Sequence, residues 1–175
     1  MATGTVLLTP EMATPGDFST GNLSPAQARL QGSQSNPKLH KLVLAFDGAG
    51  SVAESVHFNF IVPDNYASGG TLEIIGTINS TTGNVAVMQA QVSCVSPADA
   101  DTPMEHAYSA AATVSITANT TEARRLLTGA ITLNMDSAAP GDHISIKLFR
   151  DPAHASDTHT SDFEYWSGEF QYTTS

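Results

Sequence analysis

The sequence predicts an all-β fold, namely an eight-stranded antiparallel β-sandwich of the jelly-roll type behind an extended N-terminal arm. Three observations support this prediction. From residue 41, short segments alternate apolar and polar side chains between Gly, Pro, Asn and Asp, the pattern of strands with one buried face. Several connections are long enough to cross between two sheets. No segment shows sustained helical periodicity. A length of 175 residues suits one domain, which we place at residues 41–175.

Residues 1–40 are predicted to form the extended arm. They hold four of the nine prolines and four glycines, a composition that buries too little apolar surface to fold alone. One or two helical turns are plausible at residues 25–31, because Ser24 can cap them, Pro25 suits the first position and Gly32 the end. The apolar cluster at residues 6–8 and Phe18 have no periodic partner, so they either pack back on the body or bind another molecule. The candidates for binding a partner are Val6, Leu7, Leu8, Phe18, Leu23 and Leu30.

Eight strands follow, and the side chains give the phase of each. In the second strand, Val56, Phe58 and Phe60 share one face, while His57 and Asn59 share the other. A slip of one residue would expose the apolar set, so the register is well specified. The predicted strands span residues 42–46, 55–62, 71–78, 84–95, 113–118, 129–135, 143–150 and 163–173.

The last strand changes phase within its length. Phe163 and Tyr165 are at odd positions, whereas Phe170 and Tyr172 are at even ones. A bulge or bend at Gly168 would place all four on one face. Between the fifth and sixth strands, residues 120–127 are predicted to form either a short helix or an irregular connection.

The charge distribution disfavours nucleic acids and membranes as partners. The net charge is −10, and the seven Lys and Arg residues are scattered, with Arg124 and Arg125 the only adjacent pair. No basic stripe is present to contact a phosphate backbone. No apolar run approaches the ~18 residues of a membrane span. The start lacks the features of a secretory signal, so synthesis and folding in a cytoplasm are expected.

One segment collects possible metal ligands, namely Asp142, His143, Asp151, His154, Asp157, His159 and Asp162. Imidazole and carboxylate groups together bind zinc and other divalent metals. The spacing matches no closed tetrahedral motif, and no cupin-like strand with two histidines flanking one residue is present. A solvated loop with local ion pairs is favoured, with Arg150 ending a strand and pairing locally. A metal-dependent, cupin-like enzyme is the minor alternative, and no metal or cofactor is predicted.

Other catalytic signatures are absent from the sequence. There is no nucleophile elbow and no glycine motif for phosphate. Cys94 lies in an alternating run and is expected to be a small buried residue. We therefore predict no catalytic residues and no enzyme.

Four aromatic residues could instead bind a sugar by stacking: Tyr66, Tyr165, Trp166 and Tyr172. Trp166 lies on the opposite face of its strand from Tyr165, so at most one of the two is buried in a regular strand. Packing in the core or at an interface is the competing interpretation. A receptor- or glycan-binding head or tail fibre module is accordingly the alternative function.

Two blocks of sequence resemble jelly-roll structural proteins of tailed-phage virions. PGDHISIKLFRDPAHASDTHTSDFEYW is similar to their C-terminal part, and HFNFIVPDNYASGGTLEIIG to their N-terminal sheet. The resemblance implies a capsid decoration, or cement, protein located in the virion. Such a protein would bind the major capsid protein or other virion subunits as a homo-oligomer. It would have no catalytic residues, and its arm would dock across neighbouring shell subunits.

Overall fold

The computed structural model describes residues 2–16, 23–31, 40–99 and 105–175. In these residues, eleven strands and one short 3-10 helix, Pro10–Met12, build two antiparallel sheets. The strands are β1 Thr3–Leu8, β2 Thr14–Pro15, β3 Ala26–Gln31, β4 His40–Phe46, β5 Glu54–Ile61, β6 Tyr66–Ile78, β7 Val85–Val95, β8 Ala112–Thr117, β9 Leu127–Thr132, β10 His143–Arg150 and β11 Phe163–Thr174. Within the described ranges, no helix is long and apolar enough to cross a membrane.

The two sheets face each other in a jelly-roll arrangement. Sheet A has the order β3-β4-β11-β6-β9, with β1 also paired to β11, and sheet B has the order β2-β5-β10-β7-β8. The eight strands from β4 to β11 therefore divide into two interleaved groups of four, as two Greek keys require. These eight correspond one for one to the predicted strands. The predicted all-β sandwich is confirmed.

The core lies between the sheets and is built from alternate positions of each strand. On β10, Ile144, Ile146 and Leu148 are fully buried, and Ile146 lies opposite Phe58 on β5 and Val92 on β7. The inward phase predicted for these strands is therefore correct. Because side chains alternate with a period of two, a shift of one residue would expose this whole set.

The bulge predicted at Gly168 occurs two residues earlier. Tyr165 pairs with Gly76 and Ser167 with Ile75, so Trp166 is the additional residue on β11. Gly168 has a different role, because a Cβ there would lie 2.7 Å from the Glu73 carbonyl oxygen. The glycine allows close packing between strands instead of forming the bulge.

The first strand distinguishes between the two possibilities for the start of the arm. β1 pairs with β11 from Thr3 opposite Thr173 to Leu8 opposite Gly168. β4 pairs with β11 only along 163–165, so the rest of that edge would present unpaired backbone groups without β1. Of the two possibilities for Val6, Leu7 and Leu8, packing on the body is therefore the one observed for this segment. Strands from both sides of residue 40 share sheet A.

The helical turns predicted at residues 25–31 are also wrong. Ala26–Gln31 forms β3, which pairs with β4 from Ala26 opposite Ala45 to Gln31 opposite His40. A helix of seven residues is marginal in water, because few hydrogen bonds offset the cost of nucleation. Pairing along the whole of β4 satisfies more of the backbone. Residues 120–127 form an irregular connection up to Leu127, the first residue of β9.

Candidate functional site

The histidines and aspartates of residues 142–162 do not form one site. Asp142 and His143 lie at the start of β10, and the loop of residues 151–162 follows the other end of that strand. Among the described residues, no group of three or more His, Cys, Asp or Glu side chains is placed to hold a metal ion.

Arg150 anchors the loop through a fully buried ion pair with Asp157. The Nε and Nη2 atoms of Arg150 donate to the two carboxylate oxygens of Asp157 at 2.8 and 2.9 Å. Nη1 donates to the carbonyls of Phe46 at 3.2 Å and Ser161 at 2.8 Å, and Nη2 also donates to the His159 carbonyl. All five guanidinium N–H groups are thus used. The expected local pairing of Arg150 is correct, but a solvated setting is not.

Asp157 also connects the loop to sheet B. Its carboxylate accepts hydrogen bonds from the backbone N–H groups of Val87 at 2.9 Å and His159 at 3.2 Å. Burial raises the pKa of this carboxyl, but the hydrogen bonds from Arg150, Val87 and His159 outweigh burial, and the net pKa is lowered. Asp157 is consequently held as a carboxylate with structural contacts on every side.

His159 is buried beside this pair in its neutral form. Its Nδ1 accepts a hydrogen bond from the Ser161 N–H at 3.0 Å, so the neutral ring carries its proton on Nε2, which lies 3.4 Å from Thr82 Oγ1. Burial lowers the pKa of His159, and the positive charge of Arg150 lowers it further. Protonation is therefore easier in the unfolded chain than in the folded one.

We expect acidification to destabilise the protein through His159. A lowered folded pKa contributes stability that is present above the unfolded value and lost as the pH falls through the folded value. The urea concentration at the unfolding midpoint should therefore be lower at about pH 5.5 than at about pH 7.5, on either side of the ordinary histidine pKa of about 6.5. It should fall less for His159→Asn, while His143→Asn, at an exposed position, should follow the wild type.

If the urea midpoint depended on pH equally in the wild type and in His159→Asn, the assignment to His159 would be wrong. Glu54 and Asp162 work against His159, because burial raises the pKa of both carboxyls. Their contribution to stability increases as the pH falls. Comparing the histidine variants with the wild type removes this common background.

Cys94 is buried, as predicted from its strand position. Burial raises the pKa of its thiol to about 12, with the carboxylates of Asp142 and Asp136 acting in the same direction. The thiolate is the nucleophilic form, so this sulfur is unreactive near neutral pH. The sulfur lies 3.8 Å from Oδ2 of Asp142.

The four aromatic residues considered for stacking separate into two groups. Tyr66, Tyr165 and Tyr172 are buried in the core between the sheets. Trp166 is half-buried and faces outward from sheet A, so it lies opposite Tyr165, as the sequence predicts. Among these four, only Trp166 can present its ring to a ligand.

A connected set of polar groups fixes the Trp166 ring. Its Nε1–H donates to Thr77 Oγ1 at 3.1 Å, and the Thr77 hydroxyl donates to Glu164 Oε2 at 2.6 Å. Arg124 donates through Nε and Nη2 to the Glu164 carboxylate at 3.0 to 3.2 Å. We call these four residues the Trp166 cluster. Because the hydrogen bond holds the indole at its edge, the orientation of the ring is fixed before a ligand binds.

Arg124 joins the Trp166 cluster from an unusual backbone conformation. Its φ is +57°, the left-handed region that non-glycine residues seldom adopt. Its backbone N–H donates to the Ile78 carbonyl at 2.8 Å. The side chain is 46% exposed, whereas that of Glu164 is only 8% exposed. The strained backbone thus delivers a cation to a carboxylate that burial would otherwise destabilise.

The outer face of sheet A continues from the Trp166 cluster as a row of polar side chains. On neighbouring strands, Glu169 lies opposite Glu73 and Gln171 opposite Thr71. The Gln171 amide donates to Glu73 Oε2 at 2.8 Å, which fixes its orientation. Thr5 of β1 extends the row beside Gln171. Such a face offers directional hydrogen bonds to a hydroxylated ligand.

The outer face of sheet B is partly covered by its own chain. Tyr108 lies over it, with its hydroxyl 2.7 Å from His57 Nδ1 and 3.0 Å from Ser145 Oγ. Lys147 Nζ lies 5.4 Å from the Phe149 ring centroid and 6.0 Å from that of Tyr108, close enough for cation–π attraction. Sheet A therefore presents the candidate site.

The residues predicted to bind a partner are not one surface. Leu8 is fully buried and Val6 packs against the core, because β1 belongs to sheet A, so neither is available as predicted. Leu7 and Leu23 are 55% and 52% exposed. Leu30 belongs to β3, but its side chain lies outside the described set, as does Phe18 entirely. A binding role for Leu7 and Leu23 stays a prediction.

Comparison with known proteins supports the fold. The sequence matches no protein-family model and no curated protein. Its structure is similar to that of the mosquito-larvicidal Cry4Aa toxin of Bacillus thuringiensis, with a TM-score of 0.50 and 14% identity over 98% of this chain and 24% of the toxin. At this identity the likeness shows the fold alone.

Two further solved structures are similar at lower scores. Exo-β-1,3-galactanase of Phanerochaete chrysosporium, solved with galactose, gives a TM-score of 0.48 and 12% identity over 97% of this chain and 29% of that one. TmCBM27, a carbohydrate-binding module described for mannan recognition, gives a TM-score of 0.44 and 11% identity over 99% of this chain and 100% of the module. The chain thus spans under a third of the toxin and of the galactanase.

Proposed function

We propose that this chain is a non-catalytic carbohydrate-binding β-sandwich module whose ligand lies on the outer face of sheet A. The observation that carries the proposal is the Trp166 cluster, in which a half-buried indole is fixed by its N–H. The apolar face of a sugar ring stacks on such an aromatic face. Because the ring is already oriented, binding orders few additional groups.

The polar members of the Trp166 cluster suit a ligand rich in hydroxyl groups. The Arg124 guanidinium is half-exposed beside the ring and presents planar N–H donors. Glu164, in contrast, accepts hydrogen bonds from both Arg124 and Thr77. Its carboxylate supports the ring and the guanidinium, and this structural use favours binding over proton transfer to a substrate.

Replacing Trp166 by Ala is expected to remove binding while leaving the fold intact. Loss of a central aromatic anchor typically costs 2 kcal/mol or more, roughly a thirtyfold weaker affinity. Affinity electrophoresis in gels containing mannan, β-1,3-galactan, β-glucan or xylan measures this directly. Trp166→Phe should retain part of the retardation, because it keeps an aromatic face.

Phe149→Ala is the matched control for this experiment. Phe149 is also half-buried, but it lies on the outer face of sheet B, so its loss should leave retardation unchanged. Unaltered binding by Trp166→Ala, or no retardation of the wild type in any of the four gels, would contradict the proposal. A large fall in the melting temperature of Trp166→Ala would instead assign the ring to packing.

A place on a phage shell, as a homo-oligomer bound to the major capsid protein or other virion subunits, stays a prediction. The exposed residues that would serve it are Leu7 and Leu23. They lie on different elements, since Leu7 faces outward from β1 while Leu23 bridges to Glu54 at the start of β5. Leu7 lies opposite Glu169 and therefore on the same outer face of sheet A as the proposed glycan site, whereas Leu23 lies away from it beside β5. Attachment to a virion through Leu23 is compatible with glycan binding on sheet A.

A further inference from the structure

A second bulge interrupts sheet A at the far end of β11. Gln171 lies opposite Thr71, but Thr173 lies opposite Ser68, so β6 uses three steps where β11 uses two. Gly69 lies in this bulge with a φ of +69°, and no atom would come within 4 Å of a Cβ added there. The bulge therefore leaves an opening where a side chain would otherwise cover the strand.

A surface cavity of about 240 Å³ occupies this opening, which we call the glycine notch. Its lining combines backbone, threonine hydroxyls and an amide, from Thr3, Gly69, Gly70, Thr71, Gln171, Tyr172 and Thr173. The amide of Gln171 is already oriented by Glu73. Hydroxyl and amide groups both donate and accept hydrogen bonds, so the lining matches a hydroxylated ligand.

The glycine notch lies on the same strand as Trp166. The outward positions of β11 run from Trp166 through Glu169 and Gln171 to Thr173. At about 3.3 Å per residue, these seven steps cover roughly 20 Å of strand. Both features therefore lie along one line on the sheet, far enough apart for one extended molecule to reach both.

The charge around the glycine notch selects among extended ligands. Its lining side chains are all neutral, and the carboxylates nearest along the row are those of Glu73 and Glu169, which lie opposite each other. Two carboxylates on the path between the notch and Trp166 repel an anionic chain. A neutral chain meets no such penalty and can donate hydroxyl protons to them.

We infer that the glycine notch binds one unit of a linear neutral polysaccharide whose other units extend along β11 to Trp166. The protein accordingly binds a stretch of several consecutive units of a glycan chain. This inference rests on the proposed carbohydrate-binding function and specifies its substrate class. The notch then increases the binding affinity only for ligands that are long enough to reach from Trp166 to the notch.

The test measures affinity against ligand length by titration calorimetry with β-1,4-linked manno- and gluco-oligosaccharides, from disaccharide to hexasaccharide. For the wild type, affinity should rise about tenfold or more along the series that binds. Thr71→Tyr fills the notch with a strand-compatible side chain and should remove this gain while keeping disaccharide binding. Thr173→Tyr, which blocks the notch from β11, should behave in the same way.

Thr132→Tyr is the matched control, because Thr132 pairs with Thr71 on the neighbouring strand and does not line the notch. It should keep the whole length dependence. Wild-type affinity that does not rise with length, or blocked variants that bind the hexasaccharide normally, would overturn the inference. If Trp166→Ala weakens disaccharide binding while the notch variants have no effect, the inference about the notch is wrong and the proposed carbohydrate-binding function stands. If Trp166→Ala also has no effect, the proposed function fails with it.

Discussion

Replacing Asp157 with Asn is expected to lower the free energy of unfolding by about 3–5 kcal/mol, the usual cost of breaking a buried ion pair from one side. For a chain of this size, each kcal/mol lowers the melting temperature by about 2–4 °C, so a decrease of roughly 6–20 °C is expected. Arg150 is fully buried, and the substitution removes the carboxylate that accepts two of its hydrogen bonds. Urea and thermal unfolding, followed by circular dichroism, measure both quantities.

Asp64→Asn is the control for the loss of one negative charge. Asp64 is exposed in the connection between β5 and β6, and its replacement should change stability by less than about 0.5 kcal/mol. A comparably small effect for Asp157→Asn would show that Arg150 reaches solvent. Asp151→Asn gives a second comparison within the same loop, since that side chain accepts only the Ala153 N–H in the described contacts.

The sequence predicts the eight body strands well because their signal is local. In β10, alternation within eight residues defines both the element and its buried face, and the observed strand is His143–Arg150, as predicted. The same alternation correctly separates Trp166 from Tyr165. Turn residues mark where each segment stops, so the boundaries of most strands agree within a few positions.

The missed features depend on contacts between distant parts of the chain. β1 carries little alternation, and its burial depends on β11, so that Tyr165 bonds to Leu8 across 157 positions. Within the Trp166 cluster, Arg124 meets Glu164 across 40 positions, and a left-handed backbone at an arginine has no sequence signature. In the loop after β10, burial of Asp157 depends on where the Arg150 side chain points. Composition alone favours solvent there.

Leu8→Ala and Leu7→Ala are expected to differ sharply, although the residues are neighbours. Leu8 is fully buried between the sheets, and its replacement should cost about 2–5 kcal/mol. Leu7 is 55% exposed on the other face of β1, so its replacement should stay within about 0.5 kcal/mol. Urea unfolding of the two variants measures the difference. An arm detached from the body would make both substitutions silent, whereas a strand requires this alternation. Equal and small changes in the free energy of unfolding would therefore show that β1 is a docking arm and that Leu8 is available to a partner.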